Sequence, residues 1–256
     1  MSLRRDYLEA LGIDVWRARA AAKAAAIGAT EMAAAQPAEP TDLVAPGMAS
    51  AAVQRAASSA AVAAQWQALR AEVSACTRCE LCRGRTQTVF GVGNTSAELL
   101  VLGEAPGAEE DRQGEPFVGR AGQLLNSMLR AMGHPRETVY IANVLKCRPP
   151  GNRDPKPDES ASCRPYLQRQ LELLRPRLIL AVGRIAAQNL LETDTPIGRL
   201  RGQLHRFGAE ATPLIVTYHP AYLLRSPGEK RKAWVDLKFA RQQLARLRPQ
   251  PLAVMG

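Results

Sequence analysis

The tightest constraint on this chain is a set of thiols that only folding can bring together. Cys76-Thr-Arg-Cys79 places two of them on one tight turn, while Cys147 and Cys163 stand far downstream with fifteen residues between them. Four thiolates can hold an iron–sulfur cluster or a zinc ion. If they act together, the chain beyond residue 140 must return to the segment before residue 80. Zinc modules usually show two short C-x-x-C knuckles, and the wide second pair here favours [4Fe–4S]. Cys82 extends the first pair to C-x-x-C-x-x-C, and a four-ligand site needs only two of those three thiols. The plainer alternative is a set of reduced, buried thiols.

The charge balance points to polyanions. The 256 residues carry 34 Lys and Arg against 24 Asp and Glu, a net charge of +10. Residues 1–70 contribute only +1, so the excess sits on the remainder of the chain. A basic domain attracts nucleic acid through phosphate contacts and counterion release. Asp6 and Glu9 interrupt any apolar core of a secretory signal, and no apolar run approaches the ~18 residues of a membrane span. An odd cysteine count argues against a secreted disulfide framework. A cytoplasmic location and no membrane association are expected.

Two regions differ in texture. Residues 1–63 read as an N-terminal extension: a short amphipathic helix over 6–26, then an Ala/Pro-rich flexible linker, helical in part. Residues 64–248 read as the folded domain and 249–256 as a tail. Within the domain, helices are expected over 66–75, 119–132, 157–174, 184–191 and 230–247. Buried strands are expected at 98–103, 139–143, 178–182 and 214–217. Strand and helix alternate, which predicts a three-layer α/β/α fold around a short, mostly parallel four-stranded sheet. Ligands of such sheets sit beyond the carboxyl ends of the strands. Three strand ends carry polar elements, Gly103-Glu104, Asn143 and His219, and these should converge on one cleft.

The loop Gly103-Glu-Ala-Pro-Gly107 lets the backbone approach a ligand closely, with N–H groups free to face it. Taken alone it is equally a structural turn. His219 opens His-Pro-Ala-Tyr-Leu-Leu-Arg225 at a strand end, where an imidazole can donate to a developing oxyanion.

Taken together these segments resemble the family 4 uracil-DNA glycosylases, the iron–sulfur branch of that superfamily, from about residue 65 to residue 247. The motifs that carry the resemblance are Cys76-x-x-Cys79, Gly84-Arg-Thr86, Val89-Phe-Gly91, Gly103-Glu-Ala-Pro-Gly107 and Pro116-Phe-Val-Gly119. Ala121-Gly-Gln-Leu-Leu125, Asn143-Val-Leu-Lys-Cys147-Arg-Pro-Pro150, Asn152-Arg153, Cys163 and His219-Pro-Ala-Tyr-Leu-Leu-Arg225 complete the set. The resemblance implies an enzyme that removes uracil from single- or double-stranded DNA and leaves an abasic site. It assigns Cys76, Cys79, Cys147 and Cys163 to a [4Fe–4S] cluster and leaves Cys82 spare. It makes Phe117 the platform for the flipped uracil, Asn143 the reader of its edge and His219 the group facing O2. Gly103, Glu104 and Ala105 frame the base, with Glu110 and Asn152 as polar supports. Arg153, Leu224, Arg225 and Arg231 are the candidate DNA contacts, Leu223 and Leu224 being placed to fill the gap left by a flipped base.

One departure matters. Relatives with Asp in the first motif use it to activate water, and here that position is Ala105, so Glu104 or leaving-group stabilisation must carry more of the reaction. The interval from Cys147 to Cys163 contains no histidine, so no covalent adduct with DNA is expected. The chain is expected to act as a monomer. The competing readings are a non-catalytic, polymerase-associated DNA-binding module and a redox sensor using Cys82. Pure DNA binding would not require Phe117, Asn143 and His219 together.

Overall fold

The computed structural model describes residues 46–247. The expected helix over 6–26 and the tail over 249–256 lie outside the described residues. The first described element, α1 (Pro46–Ser74), is continuous across residue 63, where the folded domain was expected to begin. Proline suits its first turn, which needs no N–H. Trp66, Leu69 and Val73 recur at helical spacing and are buried, so the last turns dock on the core and deliver the chain to Cys76.

The following elements are β1 (Val92–Gly93), β2 (Leu99–Gly103), α2 (Ala108–Gln113), α3 (Arg120–Met132), β3 (Tyr140–Asn143) and α4 (Pro157–Leu174). Then come β4 (Leu178–Val182), α5 (Arg184–Leu191), α6 (Ile197–Leu200), β5 (Leu204–Phe207), β6 (Thr212–Thr217), α7 (Pro220–Arg225) and α8 (Lys230–Leu247). The sheet has six strands in the order β1-β3-β2-β4-β6-β5. The four expected strands form its parallel centre, β3-β2-β4-β6. Two short antiparallel edge strands, β1 on β3 and β5 on β6, correct the expected count of four.

Strands β2 (LLVLG) and β4 (LILAV) are buried along their whole length because both sheet faces are covered. Alternate residues serve opposite layers. Leu100, Leu102, Ile179 and Ala181 pack toward a cluster with Trp66, Tyr166 and Leu190. Leu99, Val101 and Leu180 pack toward Leu125, Leu129, Leu237 and Ala240. The three-layer α/β/α expectation holds.

The chain leaves β2 toward β3 on one side and reaches β4 on the other. This reversal opens a crevice at the carboxyl ends of β2 and β4, the usual ligand position in such sheets.

Candidate active site

Register brings the polar strand ends together. Gly103 and Asn143 are directly paired at the ends of β2 and β3. Gly183, at the end of β4, donates its N–H to Thr217 O at the end of β6. Its positive φ of 104° admits the turn into α5, and a Cβ there would approach His219 Cβ at 3.0 Å. Three of the expected residues thus border one slot: the Phe117 and His219 rings are tilted with centroids 5.6 Å apart, and Gly103 forms the floor. A Cβ on Gly103 would lie 2.4 Å from Asn143 Oδ1 and 2.6 Å from Phe117 Cζ. Only a bare backbone keeps this slot open.

The amide and the imidazole are poised for hydrogen bonding. Asn143 is buried, yet its Oδ1 has no partner. Such an orphaned acceptor is costly unless a ligand satisfies it. His219 caps α7, its Nδ1 accepting the Ala221 N–H at 3.1 Å. The proton of the neutral ring is therefore on Nε2. Burial lowers the His219 pKa to about 4, helped by the positive charge of Arg225 and opposed by Glu110. The ring is neutral at physiological pH, with Nε2–H as a donor.

Glu104 stands half-buried beside this slot. Burial, with the nearby Asp154 carboxylate, pushes its carboxyl up to about 7, against the pull of Arg184. Ala105 is half-buried next to it. Glu110 is a backbone organiser: its carboxylate accepts from Gly107 N (3.1 Å), Val118 N (3.0 Å) and Gly119 N (3.3 Å). Asn152 is exposed on the turn Pro150–Asn152, accepting from Arg148 Nε at 2.7 Å, and has no recorded contact with the slot.

The candidate DNA contacts separate into two groups. Arg225 and Arg231 are exposed and Leu224 is half-buried, all on or after α7. Arg153 instead grips the buried Glu159 through two bonds of 2.6 and 2.8 Å. Leu223 is 1% exposed within the core, which corrects the expectation that it could enter a duplex. Arg201, another basic residue of the domain, is paired with buried Asp236 at 2.7 Å. Thr217 donates to the same carboxylate, which fixes the end of β6 just before His219.

The thiols converge as the spacing required. Cys76, Cys79, Cys82, Cys147 and Cys163 all line one pocket. Arg85 donates to Cys147 Sγ at 3.1 Å and Lys146 N–H to Cys163 Sγ at 3.3 Å. Burial pushes the free Cys163 thiol up to about 11. Lys146 is itself buried, its Nζ held by Asn143 O (2.8 Å) and Gln170 Oε1 (2.6 Å). These contacts tie the thiol pocket to the end of β3. Lys146, Gln170, Arg136, Gly183 and Asp236 were not read as site residues from sequence.

The fold and the slot define an α/β protein with an aromatic-walled slot and an unpartnered buried amide oxygen at a sheet switch point. Comparison with known proteins narrows this class. Residues 90–238 match the model of the Uracil DNA glycosylase superfamily. A type-4 uracil-DNA glycosylase from Archaeoglobus fulgidus is 48% identical over 174 residues, covering 65% of this chain and 87% of that protein. Those from Sulfurisphaera tokodaii (40% over 181 residues, 68% and 82%) and Thermotoga maritima (45% over 156 residues, 60% and 80%) are similar. The chain belongs to the uracil DNA glycosylase superfamily.

Proposed function

We propose that the protein is a DNA-repair glycosylase that hydrolyses the N-glycosidic bond of uracil in DNA, releasing free uracil and leaving an abasic site. The observation that carries this reading is the buried Asn143 Oδ1 with no partner, facing a slot walled by Phe117 and His219. A uracil flipped out of the stack presents N3–H and O4 on one edge. Asn143 Oδ1 accepts from N3–H and its Nδ2 donates to O4. Cytosine has an acceptor at N3 and a donor at position 4, so it meets both groups with the wrong polarity.

In the reaction the C1′–N1 bond breaks and its electron pair leaves with uracil. The base departs as an anion whose charge is shared with O2. The His219 Nε2–H stabilises that oxygen without having to transfer its proton. A water oxygen bonds to C1′, and its proton passes to the Glu104 carboxylate. A carboxyl with pKa about 7 is suited to that task near neutral pH. Phe117 stacks on the base throughout and so contributes to capture.

Cys76, Cys79, Cys147 and Cys163 are the proposed ligands of a [4Fe–4S] cluster, with Cys82 spare. The N–H donors from Arg85 and Lys146 suit sulfurs carrying negative charge. Cys163 on α4 and Cys76 and Cys79 after α1 would hold the cluster between them, which would brace the helix against that turn. Glycosidic hydrolysis requires no electron transfer.

Arg225, Arg231 and Leu224 face the DNA in this reading, and the protein acts as a cytoplasmic monomer on single- or double-stranded substrate. No helix among the described residues is long and apolar enough to cross a membrane. The test is uracil excision by Asn143→Asp and Asn143→Ala. Both should lose most excision while still binding DNA, and unchanged excision by both would remove Asn143 from the site.

A further inference from the structure

Phe117 holds an unusual backbone conformation, with φ of 55°. The left-handed region is uncommon for a residue with a Cβ and persists only where its surroundings impose it. The surroundings here are two charged side chains, Glu110 from the preceding helix and Arg136 from beyond the following one. On one side, the Glu110 carboxylate of α2 accepts the N–H groups of Val118 and Gly119. On the other, the Arg136 guanidinium donates to Pro116 O at 2.7 Å and to Phe117 O at 3.4 Å. The same guanidinium reaches Asn126 Oδ1 on α3 at 3.3 Å, which ties the turn to that helix. Two carbonyls and two N–H groups around Phe117 are thus held from outside, one pair by each charge. Gly122 completes the enclosure, since a Cβ there would meet Phe117 O at 1.8 Å.

We infer that Arg136 is a positioning residue for base capture: opposite Glu110, it locks the strained Phe117 turn so that the ring stands in the slot beside Gly103 and Asn143. The inference rests on the reading of Phe117 as the stacking platform. Arg136 has no recorded contact with the slot and acts only through the turn. A planar fork serves three separate acceptors at once, which an ammonium point charge does not. The loss of Arg136 frees the ring to leave its place. Stacking acts on bound base and transition state alike, so the loss should appear in capture more than in the maximal rate.

The experiment uses the full chain and four variants: Arg136→Met, Arg136→Lys, Phe117→Ala and the double Arg136→Met/Phe117→Ala. Single-turnover uracil release from a defined oligonucleotide is measured against enzyme concentration. Arg136→Met should raise the half-saturating concentration about tenfold, within the range expected for weakening one base–aromatic stack, and change the plateau rate much less. Arg136→Lys should show a smaller shift. In the Phe117→Ala background the Arg136→Met change should add almost nothing, because the two residues act on one contact.

Hydrogen exchange of the peptide over 115–122 supplies a readout independent of activity. Arg136→Met should lose protection there and keep it elsewhere. Additive effects of the two changes, or unaltered capture and exchange in Arg136→Met, would overturn the inference. So would loss of protection throughout the domain in both Arg136 variants, which indicates a structural role alone. If the wild type releases no uracil, the functional reading fails, and the exchange experiment still decides whether the turn is clamped.

Discussion

Substituting Gly103 by Ala adds one methyl group at the floor of the slot. That carbon would sit 2.4 Å from Asn143 Oδ1, with 2.6 and 2.8 Å to two carbons of the Phe117 ring. Carbon contacts are comfortable at about 3.5–4.0 Å, so the ring or the amide must move by about 1 Å. The backbone itself gives little, because Gly103 is paired with Asn143 in the sheet. Both possible movers are walls of the proposed base site. A displacement of that size at a reacting centre costs about 10²-fold in rate. The cost to stability is smaller, about 1–3 kcal/mol for overpacking. The assay is single-turnover release of uracil from a short oligonucleotide, with thermal unfolding and DNA binding measured in parallel. The expected result is a folded protein that binds DNA and excises at least about a hundredfold more slowly. Excision within threefold of wild type would show that the base does not occupy this slot.

The remaining predictions concern protons and thiols. With Glu104 as a carboxylate base of pKa about 7, the excision rate should climb to a plateau above that pH and lie about tenfold lower one unit below it. Glu104→Gln should lose this limb; a flat wild-type profile from pH 5 to 8 would exclude the role. Because the folded Glu104 value lies above the ordinary 4.5, its stability contribution is present below that value and is lost as pH rises through about 7. His219 has the opposite sign: its folded value of about 4 lies below the ordinary 6.5, so its contribution is present above 6.5 and is lost as pH falls toward 4. Urea unfolding from pH 7 to 4 should show a loss of at most about 3 kcal/mol that His219→Gln removes. Cys147→Ser should lose the brown colour and bound iron, whereas Cys82→Ser should retain both; stoichiometric zinc in the wild type would overturn the cluster assignment.

The parallel core was legible because its signals are local. Helices Pro157–Leu174 and Lys230–Leu247 coincide with the expected spans, as does the strand Leu178–Val182. Long apolar periodicity and short apolar runs set these elements. The edge strands carry no such signal. Val92–Gly93 has two residues, one a glycine, and Leu204–Phe207 is partly exposed along its length with His and Arg inside it. Their pairing follows from neighbours already in the sheet. The strand-end positions of Glu104, Asn143 and His219 were readable because each follows a short apolar run. Arg136 was not, being one of 34 basic residues with nothing local to mark it. Arg153 and Arg201 show the same limit in reverse: a positive charge in sequence does not reveal that a buried carboxylate already holds it. The positive φ of Phe117 follows from contacts made by Glu110 and Arg136, so no local pattern announces it.

The central claim is that the slot takes uracil and the enzyme cuts its glycosidic bond. The direct measurement is release of free base from matched oligonucleotides containing one uracil or one cytosine at the same position. Release of free uracil, with an abasic site left in the strand and no cytosine released, is the predicted result. Tight DNA binding with no free uracil, or equal release of both bases, would contradict the account.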